Sequence, residues 1–104
     1  MIKIDILKDK EVIHHIKISG HAHHSDYGQD IVCAAVSSIA ISSINGILAI
    51  DKASITYQED GYLEIKNIKK DEITNKLLNN MVNMLSELQN DYPNNIRIRK
   101  EELA

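Results

Sequence analysis

Apolar and polar residues alternate from the start of the chain: Ile2, Ile4 and Ile6 are separated by Lys3 and Asp5. Successive side chains of a strand point to opposite faces, so a period of two predicts a half-buried β-strand. Lys8-Asp9-Lys10-Glu11 reads as a polar turn. Val12, His14, Ile16 and Ile18 then form a second alternating face, which predicts a hairpin over residues 1–20, ended by Gly20. Residues 22–29 read as a loop containing Gly28, with Asp30 placed to cap the element that follows. From 31 to about 50 nearly every residue is apolar or small, except Ser37, Ser38, Ser42, Ser43 and Asn45. Such a run is too long for a strand and predicts a largely buried helix, while its polar interruptions argue against a membrane span.

The second half repeats the strand signals more briefly. Residues 54–58 and 62–66 flank Glu59-Asp60-Gly61, whose Asp-Gly pair is a hairpin turn signal. Ile73, Leu77, Met81, Leu85 and Leu88 recur at helical spacing, with Leu78, Val82 and Met84 beside them. They predict an amphipathic helix over about 70–90, stopped by Pro93. Ile96 and Ile98 alternate with Arg97 and Arg99 in a last short strand. The order ββαββαβ predicts an α+β fold, a two-layer domain with helices packed on a mostly antiparallel sheet.

Composition narrows this picture. A chain of 104 residues makes one domain, 1–104, and with neither tryptophan nor phenylalanine its core must be aliphatic. The net charge of −3 argues against a general nucleic-acid binder. A single cysteine cannot form an internal disulfide, which points to a reducing compartment and a thiol that is either inert or reactive. The charged N-terminus is unlike a signal peptide, and no apolar run reads as long enough for a membrane span, so a cytoplasmic protein is expected.

The chemistry concentrates between Gly20 and Ser37. Cys33 follows His21 by twelve residues. If Asp30 is the N-cap, Cys33 lies in the first helical turn, where unpaired N–H groups and the helix dipole favour a thiolate. The bland alternative is a small buried cysteine. His21, at the end of the second strand, could approach Cys33 as a general base and acid, or be an exposed loop histidine. Asp30 reads as a helix cap that could also orient His21. Ser37, four residues after Cys33, shares its helix face and could hydrogen-bond in the site or simply pack against the sheet. Gly20 and Gly28 are hinges of a mobile loop or ordinary turn glycines. His21, His23, His24 and Asp26, with Cys33, also invite a zinc reading. The spacing departs from the His-x-His-x-Asp-His run of the metallo-β-lactamase fold, and the expectation is no metal and no cofactor. His14 and His15 fall on opposite faces of one strand and read as structural.

Gly20-His21-Ala22 followed by Tyr27-Gly28-Gln29-Asp30-Ile31-Val32-Cys33-Ala34-Ala35-Val36-Ser37 resembles the signature of the bacterial ribosomal-processing cysteine protease family, Prp. Ser42-Ser43-Ile44-Asn45-Gly46 further along the helix fits as well, and the element order extends the resemblance over the whole chain. It implies Cys33 as nucleophile and His21 as general acid/base, with Asp30 and Ser37 at further positions near the site. It also implies a homodimer whose peptide substrate is the N-terminal extension of a large-subunit ribosomal protein, the bacterial L-twenty-seven protein. The loop at 22–29 would order on substrate binding. No direct nucleic-acid contact and no membrane partner are expected. The alternative on the same fold is a non-enzymatic ribosome-associated binding module with a buried cysteine.

Overall fold

A computed structural model of the chain describes residues 1–20 and 27–103, with 27–30 by backbone alone. Among the described residues the elements are β1 (Ile2–Asp9), β2 (Val12–Ser19), α1 (Tyr27–Ile50), β3 (Thr56–Glu59), β4 (Leu63–Lys66), α2 (Glu72–Asp91) and β5 (Ile96–Glu102). The strands form one sheet in the order β3-β4-β2-β1-β5. Three of its pairings are antiparallel and β1–β5 is parallel, as an α+β sheet of this composition was expected to be.

One face of the sheet carries the core. Ile2, Ile4 and Ile6 of β1, Ile16 and Ile18 of β2, Leu63 and Ile65 of β4 and Ile96 of β5 are all buried. Against them lie Val32, Val36, Ala40, Ile44 and Ile47 of α1 and Leu78, Met81, Val82 and Leu85 of α2. Both helices therefore cover the same face, which gives two layers. The other face is polar and paired across strands: Arg99 Nε lies 3.3 Å from Asp5 Oδ1, and His15 Nε2 lies 2.6 Å from Glu64 Oε2.

The pattern on β2 departs from simple alternation. The register passes from Leu7↔His15 to Lys8↔Ile13, so β2 carries one residue more than β1 at this point, a β-bulge at His14. A bulge shifts the phase of alternation. Ile13, 2% exposed, therefore enters the core, and Val12, 38% exposed, does not, although Val12 and His14 were expected on the face of Ile16 and Ile18.

Helix α1 also differs from its expectation. It buries one stripe only, and Ile31 and Ile50 are 41% and 61% exposed. By length and composition alone its segment Ile31–Ile50 qualifies as a membrane-crossing helix, contrary to the weight placed on its serines; its stripe from Val32 to Ile47 is packed on the sheet. Helix α2 is fastened at both ends. The Asp71 carboxylate accepts from the backbone N–H of Thr74 at 2.8 Å as N-cap, and Gln89 Oε1 accepts from the N–H of Ile98 in β5 at 2.6 Å. Between them Asn75 accepts from the Ile13 N–H at 3.0 Å and donates to the Glu11 carbonyl at 2.9 Å, tying the β1–β2 turn to the helix.

Among the described residues, three carboxylates are held below their ordinary values. Asp71 is lowered by its hydrogen bonds from Thr74, Asp51 by that from Lys69, and Glu64 by that from His15. Each binds fewer protons folded than unfolded, so its stabilisation is complete above the unfolded value near 4 and is lost as pH falls through the lower, folded one. The urea midpoint should thus be level from pH 7 to about 5 and drop below about 4. Asp71→Asn should make that acid drop shallower; an unchanged acid limb would contradict the assignment.

Gly20 ends β2 with φ of +83°, a region L side chains rarely adopt. A Cβ there would also run into the Met1 carbonyl oxygen, with the Ile2 Cα 3.5 Å away. Backbone blocks it, so no side chain can turn aside. Gly20→Ala is expected to cost roughly 1–3 kcal/mol, read as a lower urea midpoint. Equal stability would show that Met1 yields.

Candidate active site

Cys33 is the seventh residue of α1, which begins at Tyr27. Asp30 is the fourth, so it is inside the helix and not its N-cap, and Gly28 is the second, so it is not a loop glycine. The helix reaches four residues further upstream than the capping pattern suggested. Gly28 carries the poor helix propensity of glycine, yet it stands at the helix end, where ordering costs least. The remainder of the expected loop, with His21, His23, His24 and Asp26, lies outside the described residues. So do the proposed approach of His21 to Cys33 and the zinc reading.

The shift of the helix start changes the electrostatics expected at Cys33. Only the first four N–H groups of a helix lack an intrahelical acceptor. A residue at the seventh position has its N–H in the ladder, and it lies beyond the turn where the dipole is strongest. The Cys33 N–H is thus a poor candidate for an oxyanion donor.

The surroundings of Cys33 favour chemistry on one side. Its neighbours Val32 and Val36 are buried, while Cys33 is half-buried and packs against the edge of the core. Ser37 is exposed on the same helix face, one turn further on, and does not pack against the sheet. It lines a groove of about 340 Å³ that runs between α1 and the β3–β4 hairpin. Val36, Ala40 and Ile41 form the helix side of that groove, and Glu59, Tyr62 and Leu63 form the hairpin side. Ile18 of β2 also lines it, two residues before Gly20, so the strand that leads to His21 meets the helix that carries Cys33. The helix side was readable from spacing, since residues 36, 37, 40 and 41 share the face of 33. The hairpin side was missed. Glu59-Asp60-Gly61 announced a turn, and nothing local says where a turn will dock.

A half-buried thiol one helical turn from an open, mainly apolar groove has the access that thiol chemistry needs. The family model of cysteine protease Prp matches residues 1–97, and the chain belongs to that family of cysteine proteases. The ribosomal processing cysteine protease Prp of Staphylococcus aureus is 30% identical over 103 residues, covering 94% of this chain and 97% of its own. That of Mycoplasma pneumoniae is 34% identical over 95 residues, covering 86% and 92%. A crystal structure of the S. aureus protease with a substrate peptide matches with a TM-score of 0.89 at 27% identity, covering 97% of this chain and 100% of that one. Another, with a covalently linked product peptide, gives 0.85 at 28% identity over the same shares. The fold class expected from element order is the one these structures share, and the non-enzymatic alternative gives way to a protease.

Proposed function

We propose that this chain is a ribosomal-processing endopeptidase of the cytoplasm that removes the N-terminal extension of a large-subunit ribosomal protein, the bacterial L-twenty-seven protein, with Cys33 as nucleophile and His21 as general acid/base. The observation that carries the reading is elimination within a family. A cysteine protease needs a thiol, and Cys33 is the only cysteine in the sequence. Its half-buried position, one helical turn before the groove residues Val36 and Ser37, supports the role. His21 follows Gly20 at the end of β2, and Ile18 of that strand reaches the same groove.

The Cys33 thiolate attacks the scissile carbonyl carbon, with its proton held on His21. The tetrahedral intermediate collapses to a thioester as His21 protonates the departing amine. His21 then takes a proton from water, which attacks the thioester and releases the carboxylate and the thiol. Incubation with the extended precursor should yield one new N-terminus by mass spectrometry. His21→Ala should cleave about 10²–10⁴-fold more slowly, the range for a positioned acid–base group. An intact precursor with the wild-type protein would refute the substrate, and an unimpaired His21→Ala would refute the dyad.

A further inference from the structure

We infer that the open face of the sheet is a docking surface for an RNA strand, whose phosphates are held by Lys3 and Arg97 with Arg99 and Lys17 beside them. The choice of RNA among polyanions rests on the ribosomal substrate proposed above. The cationic face itself depends neither on that substrate nor on the nucleophile.

Both helices pack on one side of the sheet, and the charges on the other side are unevenly spread. Toward β4 they balance: the Glu64 carboxylate takes His15 at 2.6 Å and lies 4.0 Å from Lys66 Nζ. Toward β5 they do not. Lys3, Arg97 and Arg99 line a cleft of about 300 Å³ with a single carboxylate, Asp5, and Asp5 is taken by Arg99 at 3.3 Å. Among the described residues no ion pair involves Lys3, Arg97 or Lys17. Glu101 stands four residues past Arg97, about 13 Å along β5. The net charge of −3, from which no nucleic-acid contact was expected, averages over this cationic strip and a more acidic remainder.

The register of the sheet sharpens the imbalance. Lys3 and Arg97 are partners in the parallel β1–β5 pairing, so two cations stand side by side at the strand spacing of about 4.8 Å. Like charges so placed repel each other. A carboxylate between them would relieve this, yet the one at hand already serves Arg99. A phosphate relieves it, with the Arg97 guanidinium as a two-pronged donor and Lys3 as a point charge. Asp5 has Arg99 as its partner on β5 and Lys17 on β2, so the strip crosses three strands, about 10 Å. Lys17 Nζ stands 4.6 Å from the centre of the Tyr62 ring, and the strip thus ends on an aromatic side chain, the combination single strands use.

Lys3, Arg97 and Arg99 are exposed, and an exposed cation gains little from one small anion. A strand of linked phosphates gains at every contact by releasing condensed counterions. The exposed apolar side chains Ile31, Ile50 and Ile73 belong to the helix layer, so the anchors that a membrane would use are on the other side.

Fluorescence anisotropy with the full chain and a labelled, unstructured RNA of about 20 nucleotides tests this. The wild type should bind at about 50 mM salt and lose about twentyfold in affinity by about 200 mM, as for about three phosphates neutralised on a single strand. Lys3→Glu/Arg97→Glu should lose at least about tenfold at the lower salt and flatten the salt slope. Lys3→Gln/Arg97→Gln, which places no new charge on the face, should fold as the wild type by circular dichroism and lose about fivefold. Lys52→Glu/Lys76→Glu makes the same change in net charge away from the strip and should stay within about threefold of the wild type. No binding at low salt, or equal losses in the two glutamate variants, would overturn the inference. Polyglutamate that displaces the RNA as well as unlabelled RNA does would overturn it in favour of an acidic peptide. Phosphatidylglycerol vesicles that do so would overturn it in favour of a membrane. Precursor cleavage by a protein that binds no RNA would sink this inference alone, and RNA binding with an intact precursor would sink only the substrate reading.

Discussion

Cys33→Ala is expected to abolish proteolysis, lowering kcat/KM by at least ~10⁴-fold, with the thermal midpoint moving by only a few degrees. The reason is chemical. A general base or an oxyanion donor can be partly replaced by water or a neighbour, but the atom that forms the thioester cannot, and the sequence holds no second thiol. The side chain packs on the margin of the core and not in it, so truncation removes few contacts. Iodoacetamide should accordingly alkylate the folded wild-type protein near neutral pH, since the thiol is half-buried and not sealed. Precursor cleavage by Cys33→Ala at the wild-type rate would end the assignment, and alkylation that waits for denaturant would mark the thiol as structural.

Ile44→Ala should be the most damaging single truncation on the helix that carries the nucleophile. Ile44 is fully buried at the middle of the α1 stripe, between Ala40 and Ile47. Losing a buried isoleucine to alanine costs about 2–5 kcal/mol through lost transfer energy and the cavity left behind. A domain of this size has only about 5–15 kcal/mol in total. The midpoint should fall by about 10–30 °C. The fully buried stripe of α1 is narrow, and Ile39, Ile41 and Leu48 beside it are only partly buried against the core, so they cannot make up the loss. Well below the new midpoint, kcat/KM should stay near wild type, since the groove and Cys33 lie on other turns. A loss of less than 1 kcal/mol would show that α1 is held elsewhere.

The elements were legible because their periodicities are clean. Ile2, Ile4 and Ile6 leave no alternative to a strand, and the Ile73-to-Leu88 spacing none to an amphipathic helix. Their ends were less so. Asp30 had the right chemistry for a cap, but a cap is defined by where the helix stops, and α1 continues through it to Tyr27. That one shift moved Cys33 from the first turn to the second and changed which backbone groups can serve it. The bulge at His14 was hidden for a related reason. Ile13 and Ile16 are both apolar and both buried, and only the pairing with β1 shows that a residue has been inserted between them. The groove was half legible. Spacing along α1 puts residues 36, 37, 40 and 41 on the face of 33, but that they wall a groove depends on the crossover from β2 through α1 to β3, a long-range packing choice that no local pattern encodes.

The crowding of Gly20 against the Met1 carbonyl has a practical side. The first strand residue is also pinned there, its Ile2 N–H donating to the Asn95 carbonyl at 2.8 Å. Any affinity tag or fusion partner attached ahead of Met1 would therefore emerge against Gly20 at the end of β2. The opposite terminus leaves from Leu103, whose N–H bonds the Lys8 carbonyl at the far end of β1. Recombinant protein for kinetic work should carry its handle there, and activity lost with an N-terminal tag should return when the tag is cut away.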